Sequence, residues 1–134
     1  MQWLNEPTQW TSHKNRLSAT SDARTDFWRK THDSGIRDHG HFYFESVAGD
    51  FTARVKITAE YKSKYDQAGL MVRGDEKTWL KCRIEVLDGR QYARAVCPPL
   101  TATKTLAFST FASKLTDSCV PDRRRKHVNL GTAL

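Results

Sequence analysis

Two runs of alternating apolar and polar side chains, separated by a short turn-like stretch, dominate residues 65–86. A period of two is typical of β-strands, in which successive side chains point to opposite faces of a sheet. One face is predicted to be core and carries Leu70, Val72, Leu80, Cys82, Ile84 and Val86. The other face carries Met71, Arg73, Trp79, Lys81, Arg83 and Glu85. We expect any function to lie on this second, chemically richer face.

Alternation elsewhere in the chain extends the prediction to an all-β fold. Residues 51–61 alternate completely and predict a half-buried strand, paired antiparallel with a strand over residues 41–47. Asp88-Gly89 follows the 80–86 strand and favours a tight hairpin, with residues 91–96 as the returning strand. Weaker patterns predict edge strands at Trp3, Leu4, Trp10 and residues 16–20.

The end of the chain has a different character from the rest. Residues 97–134 contain six basic and two acidic side chains, no Glu, and an early Pro-Pro break. We therefore expect an N-terminal β-sandwich portion over residues 1–96 and a divergent basic tail over 97–134. Within the tail, a weak helix is expected at residues 104–115 and disorder after residue 121.

Charge and hydropathy limit the partners of the chain. The net charge is +7, and the basic run RRRK at residues 123–126 belongs to the tail. A short charged run is typical of a solvated end, and no nucleic-acid-binding motif accompanies it, so we expect no nucleic-acid partner. No signal-peptide pattern opens the chain, and no run of about 18 apolar residues occurs. A cytoplasmic protein without a membrane partner or a cofactor is expected.

Ordered motifs along the first 96 residues resemble a known family. These motifs are WLNEP (residues 3–7), TDFWR (25–29), GHF (40–42), GDF (49–51), YDQAGLM (65–71) and WLK (79–81). The chain resembles the YesU-like group of domains of unknown function, which includes regulation-of-enolase proteins. That group is placed among concanavalin A-like lectins and glucanases. The resemblance implies a cytoplasmic jelly-roll β-sandwich with no established catalytic activity.

The family's domain continues past residue 96 with further strands, and residues 97–134 do not display their pattern. We therefore expect an incomplete concanavalin A-like jelly-roll β-sandwich. A replaced or frame-shifted ending would account for the abrupt change in composition. Strands without partners leave sheet edges exposed, which favours self-association.

The resemblance also implies where a ligand would bind. In such folds sugars lie across a concave sheet on aromatic platforms, with hydrogen bonds to charged side chains. The expected ligand-binding residues are Trp28, Arg29, Asp66, Gln67, Arg73, Trp79, Lys81 and Glu85. A non-catalytic carbohydrate-binding or regulatory module is predicted. The alternative is a protein-interaction protein of the regulation-of-enolase type without a sugar ligand.

Each of these residues also has an ordinary structural interpretation. Trp28 and Trp79 are the kind of large aromatic residue that fills a core. Arg73 is able to pair with Glu85 across the strands, and Arg29 with Asp26. Asp66 and Gln67 are suited to cap a turn before the next strand. These interpretations remain open alongside the ligand-binding ones.

Two enzymatic alternatives receive less support from the residues. A glycosidase needs paired carboxylates, but the Glu-x-Asp-x-x-Glu motif is absent and Asp88 points to the side opposite Glu85. His39, His41 and Glu45 form a His-x-His-x-x-x-Glu pattern typical of cupin-like metal enzymes. The later Pro-x-Gly and further His of a cupin are missing. We expect no catalytic residue and no bound metal.

Overall fold

The computed structural model describes residues 1–30, 34–98, 106–107, 118–119 and 128–134. In these ranges the chain forms β-strands and turns, and no residue is helical. No helix in the described part of the chain is long and apolar enough to span a membrane. The strands are β1 Gln2–Leu4, β2 Gln9–His13, β3 Arg16–Thr20, β4 Phe27–Arg29, β5 Ile36–Asp38, β6 Phe42–Val47, β7 Gln67–Arg73, β8 Trp79–Leu87, β9 Arg90–Val96, β10 Leu106–Ala107, β11 Ser118–Cys119 and β12 Val128–Ala133.

One antiparallel sheet of six strands organises the described chain. Its strand order is β1-β6-β12-β7-β8-β9, so β1 and β9 form its two edges. Three two-stranded hairpins accompany it, formed by β2 and β3, β4 and β5, and β10 and β11. The all-β prediction is confirmed, and the antiparallel layout is consistent with a jelly-roll β-sandwich.

The hairpin predicted at Asp88-Gly89 is confirmed. Leu87 at the end of β8 pairs with Arg90 at the start of β9. Both turn residues have positive φ, 50° for Asp88 and 74° for Gly89. Two consecutive positive φ angles are what a type I′ turn requires, and its backbone twist matches that of the flanking strands. This local chemistry fixes the register of the β8–β9 edge.

The prediction of a strand over residues 51–61 is wrong in this structure. The structure assigns no strand there, and Phe51 and Val55 are exposed. The expected pairing of this segment with residues 41–47 is also absent, since β6 lies between β1 and β12. Both hydrogen-bonding edges of β6 are therefore occupied. An alternating sequence indicates that a segment is suited to form a strand. Whether it joins a sheet also depends on a strand edge that is free to pair with it.

The expected disorder after residue 121 is wrong for residues 128–133. They form β12, which lies between β6 and β7 in the middle of the sheet. At Gly131 the strands approach so closely that an added Cβ would overlap the carbonyl oxygen of Tyr43. Most of the predicted helix at 104–115 and the whole run at 123–126 lie outside the described residues, and Leu106–Ala107 is a strand. The division of the chain at residue 96 stays a prediction.

The hydrophobic core lies on the face of the sheet that the sequence marks as polar. It consists of Phe27, Phe42, Phe44, Met71, Trp79 and Ala133, with Leu4 and Val96 packed against it. Lys81, Arg83 and Glu85 on the same face are also buried. On the opposite face Leu80 is buried as predicted, whereas Leu70, Val72, Cys82 and Ile84 are half-buried. The predicted alternation is right, but the prediction of which face is more deeply buried is wrong. We call the face that carries Met71 and Trp79 the inner face.

Candidate functional site

Strand register gathers the polar side chains of the inner face into one cluster. Directly opposite residues of antiparallel strands share a face, and β7 and β8 pair Gln67 with Glu85, Gly69 with Arg83, and Met71 with Lys81. On the other side of β8, Arg83 lies opposite Arg94 and Glu85 opposite Tyr92. The candidate site is therefore built from the middle of β8 and its two neighbours.

The β4–β5 hairpin covers one end of this cluster through a buried lysine. Lys81 Nζ donates to Asp26 Oδ1 at 2.8 Å and to the Phe27 carbonyl oxygen at 3.0 Å. Burial lowers the pKa of Lys81 from its ordinary value of 10.5, and the Asp26 carboxylate opposes that shift. The ammonium group thus holds the hairpin to the sheet, although its burial removes it from water.

A second ion pair fixes the other strand of the same hairpin. Arg73 donates to both carboxylate oxygens of Asp38, with Nη1 to Oδ1 at 2.7 Å and Nη2 to Oδ2 at 2.8 Å. The Arg73 guanidinium also lies 5.5 Å from the centroid of the Phe27 ring. The alternative pairing of Arg73 with Glu85 is therefore not the one formed. Asp26 and Asp38 compensate two buried cations, which explains how a polar face becomes core.

Glu85 bridges two arginines at the edge of the sheet. Arg83 Nη2 donates to Glu85 Oε1 at 2.8 Å, and Arg94 Nε forms an ion pair with Glu85 Oε2 at 3.1 Å. The side chains of Arg83 and Glu85 are 3% and 6% exposed, whereas that of Arg94 is 44% exposed. Two like charges directly opposite on adjacent strands repel each other. The carboxylate between them makes this arrangement stable.

Hydrogen-bonding capacity is left over within the cluster. Among the described residues, Arg83 Nε, Arg83 Nη1 and Gln67 Oε1 are buried side-chain atoms without a hydrogen-bond partner. The amide nitrogen of Gln67 does have one, since Nε2 donates to Asp26 Oδ1 at 3.2 Å. An unsatisfied buried polar group is destabilising by roughly 1 to 3 kcal/mol, and more when charged. Such atoms call for a bound water, ion or ligand.

The structure sorts the predicted ligand-binding residues into two groups. Gln67, Arg73, Lys81 and Glu85 lie together on the inner face, and Trp79 lies there as a core residue that is 4% exposed. Arg29 pairs with Glu76, not Asp26, and Trp28 is half-buried on β4. Asp66 Oδ2 accepts from the backbone N–H groups of Lys62 and Ser63, which confirms its turn-capping interpretation.

The two histidines of the cupin-like pattern make backbone hydrogen bonds. His41 Nδ1 donates to the Asn5 carbonyl oxygen at 2.6 Å, and its Nε2 accepts from the Asp22 N–H at 3.0 Å. His39 Nδ1 accepts from the Asp26 N–H at 3.2 Å, and Glu45 is exposed on β6. In the part of the chain that the structure describes, no three metal-ligating side chains converge. These imidazoles order the loops around the β4–β5 hairpin.

Comparison with known proteins places the chain in a family. The family described as "Protein of unknown function (DUF1349)" matches residues 3–102. The chain belongs to this family. Over 94 residues it is 42% identical to "Regulation of enolase protein 1" of Saccharomyces cerevisiae, a match that covers 70% of this chain and 48% of that protein. The chain thus spans about half the length of this curated relative.

A solved structure supports the fold. "The crystal structure of a functionally unknown protein from Saccharomyces cerevisiae" matches with a TM-score of 0.67 and covers 98% of this chain and 84% of that one. The sequence identity is 24%, so this likeness concerns the fold alone. The family match and the 42% identity to the yeast protein confirm the predicted relation to regulation-of-enolase proteins.

Three residues of the cluster are not among the expected ligand-binding residues, for two different reasons. Arg83 shares the parity of Lys81 and Glu85, so alternation alone was sufficient to place it in the cluster. Asp26 and Asp38 carry no such signal, since they reach the sheet only through the tertiary position of the β4–β5 hairpin.

Proposed function

We propose that this chain is a non-catalytic regulatory module that binds a polar ligand on the inner face. The observation that carries the proposal is the Arg83 guanidinium, which is buried among charged side chains and has two nitrogens without a hydrogen-bond partner among the described residues. A buried cation without full hydrogen bonding is destabilising, so its presence is better explained by binding than by folding. The name of the yeast relative, a regulation-of-enolase protein, supports a regulatory role.

The carboxylates of the cluster favour binding over hydrolysis. Both oxygens of Glu85 form ion pairs with guanidinium groups, and Asp26 and Asp38 form ion pairs with Lys81 and Arg73. Glycoside hydrolysis needs one carboxyl group that donates a proton and a second that attacks or activates water. These three carboxylates serve instead as anchors for buried cations. A module of this kind recognises its ligand without transforming it.

A carbohydrate ligand, as the resemblance implies, would depend here on hydrogen bonds more than on stacking. Trp79 belongs to the core, so it offers no open ring face to a sugar. Tyr92 is the aromatic residue that lies near Glu85 and is exposed, at 39%. Arg94 lies 5.5 Å from the centroid of its ring. We therefore place ligand entry at the β9 edge.

A protein partner is the second candidate. The face opposite the inner face carries Leu70, Val72, Cys82 and Ile84, all half-buried. Apolar side chains that retain exposure on one sheet face are suited to a protein contact. The regulatory name of the yeast relative is compatible with such a partner.

A ligand screen by thermal shift tests the proposal. We expect at least one polar metabolite or glycan to raise the Tm of the native chain and to leave that of Arg83→Gln unchanged. Arg16→Gln, a substitution of an exposed arginine on β3, serves as the matched control and should respond like the native chain. A screen in which every ligand shifts the native chain and Arg83→Gln equally would contradict binding at the inner face.

A further inference from the structure

We propose that the ligand of the inner face is a small hydroxylated oxyanion, a carboxylate or phosphate that also bears hydroxyl donors. It would lie between Arg83, Arg94 and Gln67. This inference rests on the proposed function and specifies the chemistry of the ligand.

The charge balance at the β8–β9 edge favours an anion. Lys81 and Arg73 have their own carboxylates in Asp26 and Asp38. In the described part of the chain, Arg83 and Arg94 share one carboxylate, that of Glu85. Two guanidinium groups beside one carboxylate leave an excess positive charge. Part of this charge lies on Arg83, which is shielded from solvent. An anion would compensate the excess, whereas a neutral ligand would leave it in place.

The unpartnered atoms define which hydrogen bonds the ligand makes. Arg83 Nε and Nη1 are donors and need acceptor oxygens, which carboxylates and phosphates supply with charge assistance. Gln67 Oε1 is an acceptor and needs a donor, which a bare oxyanion lacks. A molecule with both an oxyanion and a hydroxyl group satisfies all three atoms. The need for both an oxyanion and a hydroxyl donor distinguishes the proposed ligand from simple anions and from neutral sugars.

Small residues lie beside Arg83 in the same row of the sheet. Gly69 is directly opposite it on β7, and Ala133 is opposite Gly69 on β12. No side chain from Gly69 therefore covers the guanidinium from that strand. An added Cβ at Gly69 would overlap the backbone of Cys82, so the strands could not stay paired around a larger residue there.

The ligand would enter at the β9 edge of the sheet. β9 is an edge strand in the six-stranded sheet. Its Arg94 and Tyr92 are exposed, whereas Arg83 on β8 is buried. Arg94 is anchored to Glu85 by its Nε at 3.1 Å. Because the Arg94 guanidinium is exposed and Arg83 is buried, the oxyanion would bind Arg94 first and then move inward to Arg83.

Calorimetric titration with matched probes tests this inference. The probes are glucose, gluconate, glucose 6-phosphate, acetate and inorganic phosphate. We expect gluconate or glucose 6-phosphate to bind at least about 10-fold more tightly than glucose, and more tightly than acetate and inorganic phosphate. The affinity should fall as salt is added, since one partner is a charged group. Gluconate and glucose 6-phosphate together distinguish a carboxylate from a phosphate ligand.

Two variants locate the binding. Arg83→Gln should weaken the tighter probe by about 10-fold or more, and Gln67→Glu should weaken it similarly, because it places a negative charge beside the oxyanion. Arg16→Gln should bind like the native chain. Urea unfolding of each variant establishes that it is folded.

The outcomes separate this inference from the function on which it rests. Equal binding of glucose and gluconate, lost in Arg83→Gln, would overturn the oxyanion assignment and leave a ligand-binding module. Equal binding of acetate and gluconate would overturn the role of Gln67 and with it the hydroxylated ligand. No binding by any of these probes, together with no thermal shift in the wider screen, would overturn both proposals.

Discussion

Arg83 and Glu85 lie two residues apart on β8, and their side chains meet on the same buried face with Arg83 Nη2 2.8 Å from Glu85 Oε1. The carboxylate also forms an ion pair with Arg94, so one anion compensates two cations of adjacent strands. Removing the anion and removing the buried cation should therefore have very different effects.

Glu85→Gln should lower the free energy of unfolding by about 3 kcal/mol, because it leaves the buried Arg83 without its carboxylate. Glu76→Gln is the matched control, since Glu76 forms an exposed ion pair with Arg29 at 3.6 Å. Its loss should change stability by less than about 1 kcal/mol. Urea unfolding measures both. Equal effects of the two substitutions would show that Glu85 does not stabilise the β8–β9 edge.

Arg83→Met should change the free energy of unfolding by about 1 kcal/mol or less, in either direction. The substitution removes a buried cation whose Nε and Nη1 have no hydrogen-bond partner in the described ranges, and Glu85 keeps its ion pair with Arg94. Removing one partner of a buried ion pair is costly when it leaves a buried charge uncompensated, and here Arg94 still compensates Glu85. Urea unfolding at fixed pH checks this. A loss as large as that in Glu85→Gln would mean that Arg83 is retained for folding.

Stability should depend on pH through Lys81. Its pKa in the folded chain lies below 10.5, so the unfolded chain binds more protons between the folded value and 10.5. In that window the free energy of unfolding rises with pH, and below it the full cost of burying the charge is present. Unfolding of the native chain and Lys81→Met should be compared from about pH 7 to about pH 10. The difference between their slopes should be positive, and parallel curves would contradict the shift.

Gly131→Ala tests the central position of β12. The added methyl group would overlap the Tyr43 carbonyl oxygen, so β12 should separate from β6 at a cost of about 3 kcal/mol. Gly49→Ala is the control, because Gly49 has φ of 73° and no neighbour within 4 Å of an added Cβ. It should cost about 1 kcal/mol from backbone strain alone. A smaller effect at residue 131 than at residue 49 would place residues 128–133 outside the sheet.

Local signals in the sequence were sufficient for much of the sheet. Alternation and the Asp88-Gly89 turn predict β8, β9 and their hairpin because all the determinants lie within a few residues. β12 was missed because it contains a glycine and follows a stretch without strand alternation, and its partners Phe42–Val47 lie more than 80 residues away. Residues 51–61 have the pattern of a strand, but pairing depends on which edges other strands occupy.

The candidate site was only partly predictable for a related reason. Parity places Gln67, Arg73, Lys81 and Glu85 on one face, as the structure does. Burial of that face depends on the β4–β5 hairpin, whose Asp26 and Asp38 neutralise Lys81 and Arg73. No periodicity encodes that contact. The unpartnered nitrogens of Arg83 were not predictable either. Whether they find a hydrogen-bond partner among the described residues depends on the tertiary position of every group near the cluster.

The most direct test of the binding role of Arg83 is an NMR titration of the arginine Nε–H signals with gluconate. Arg83→Gln identifies the Arg83 signal by its absence, and Arg16 on β3 is the internal reference. Ligand binding at the inner face predicts a saturable shift of the Arg83 signal, accompanied by Arg94, with Arg16 unchanged. If the Arg83 signal does not move while the chain binds gluconate, or if it moves no more than that of Arg16, the inner face is not the binding site.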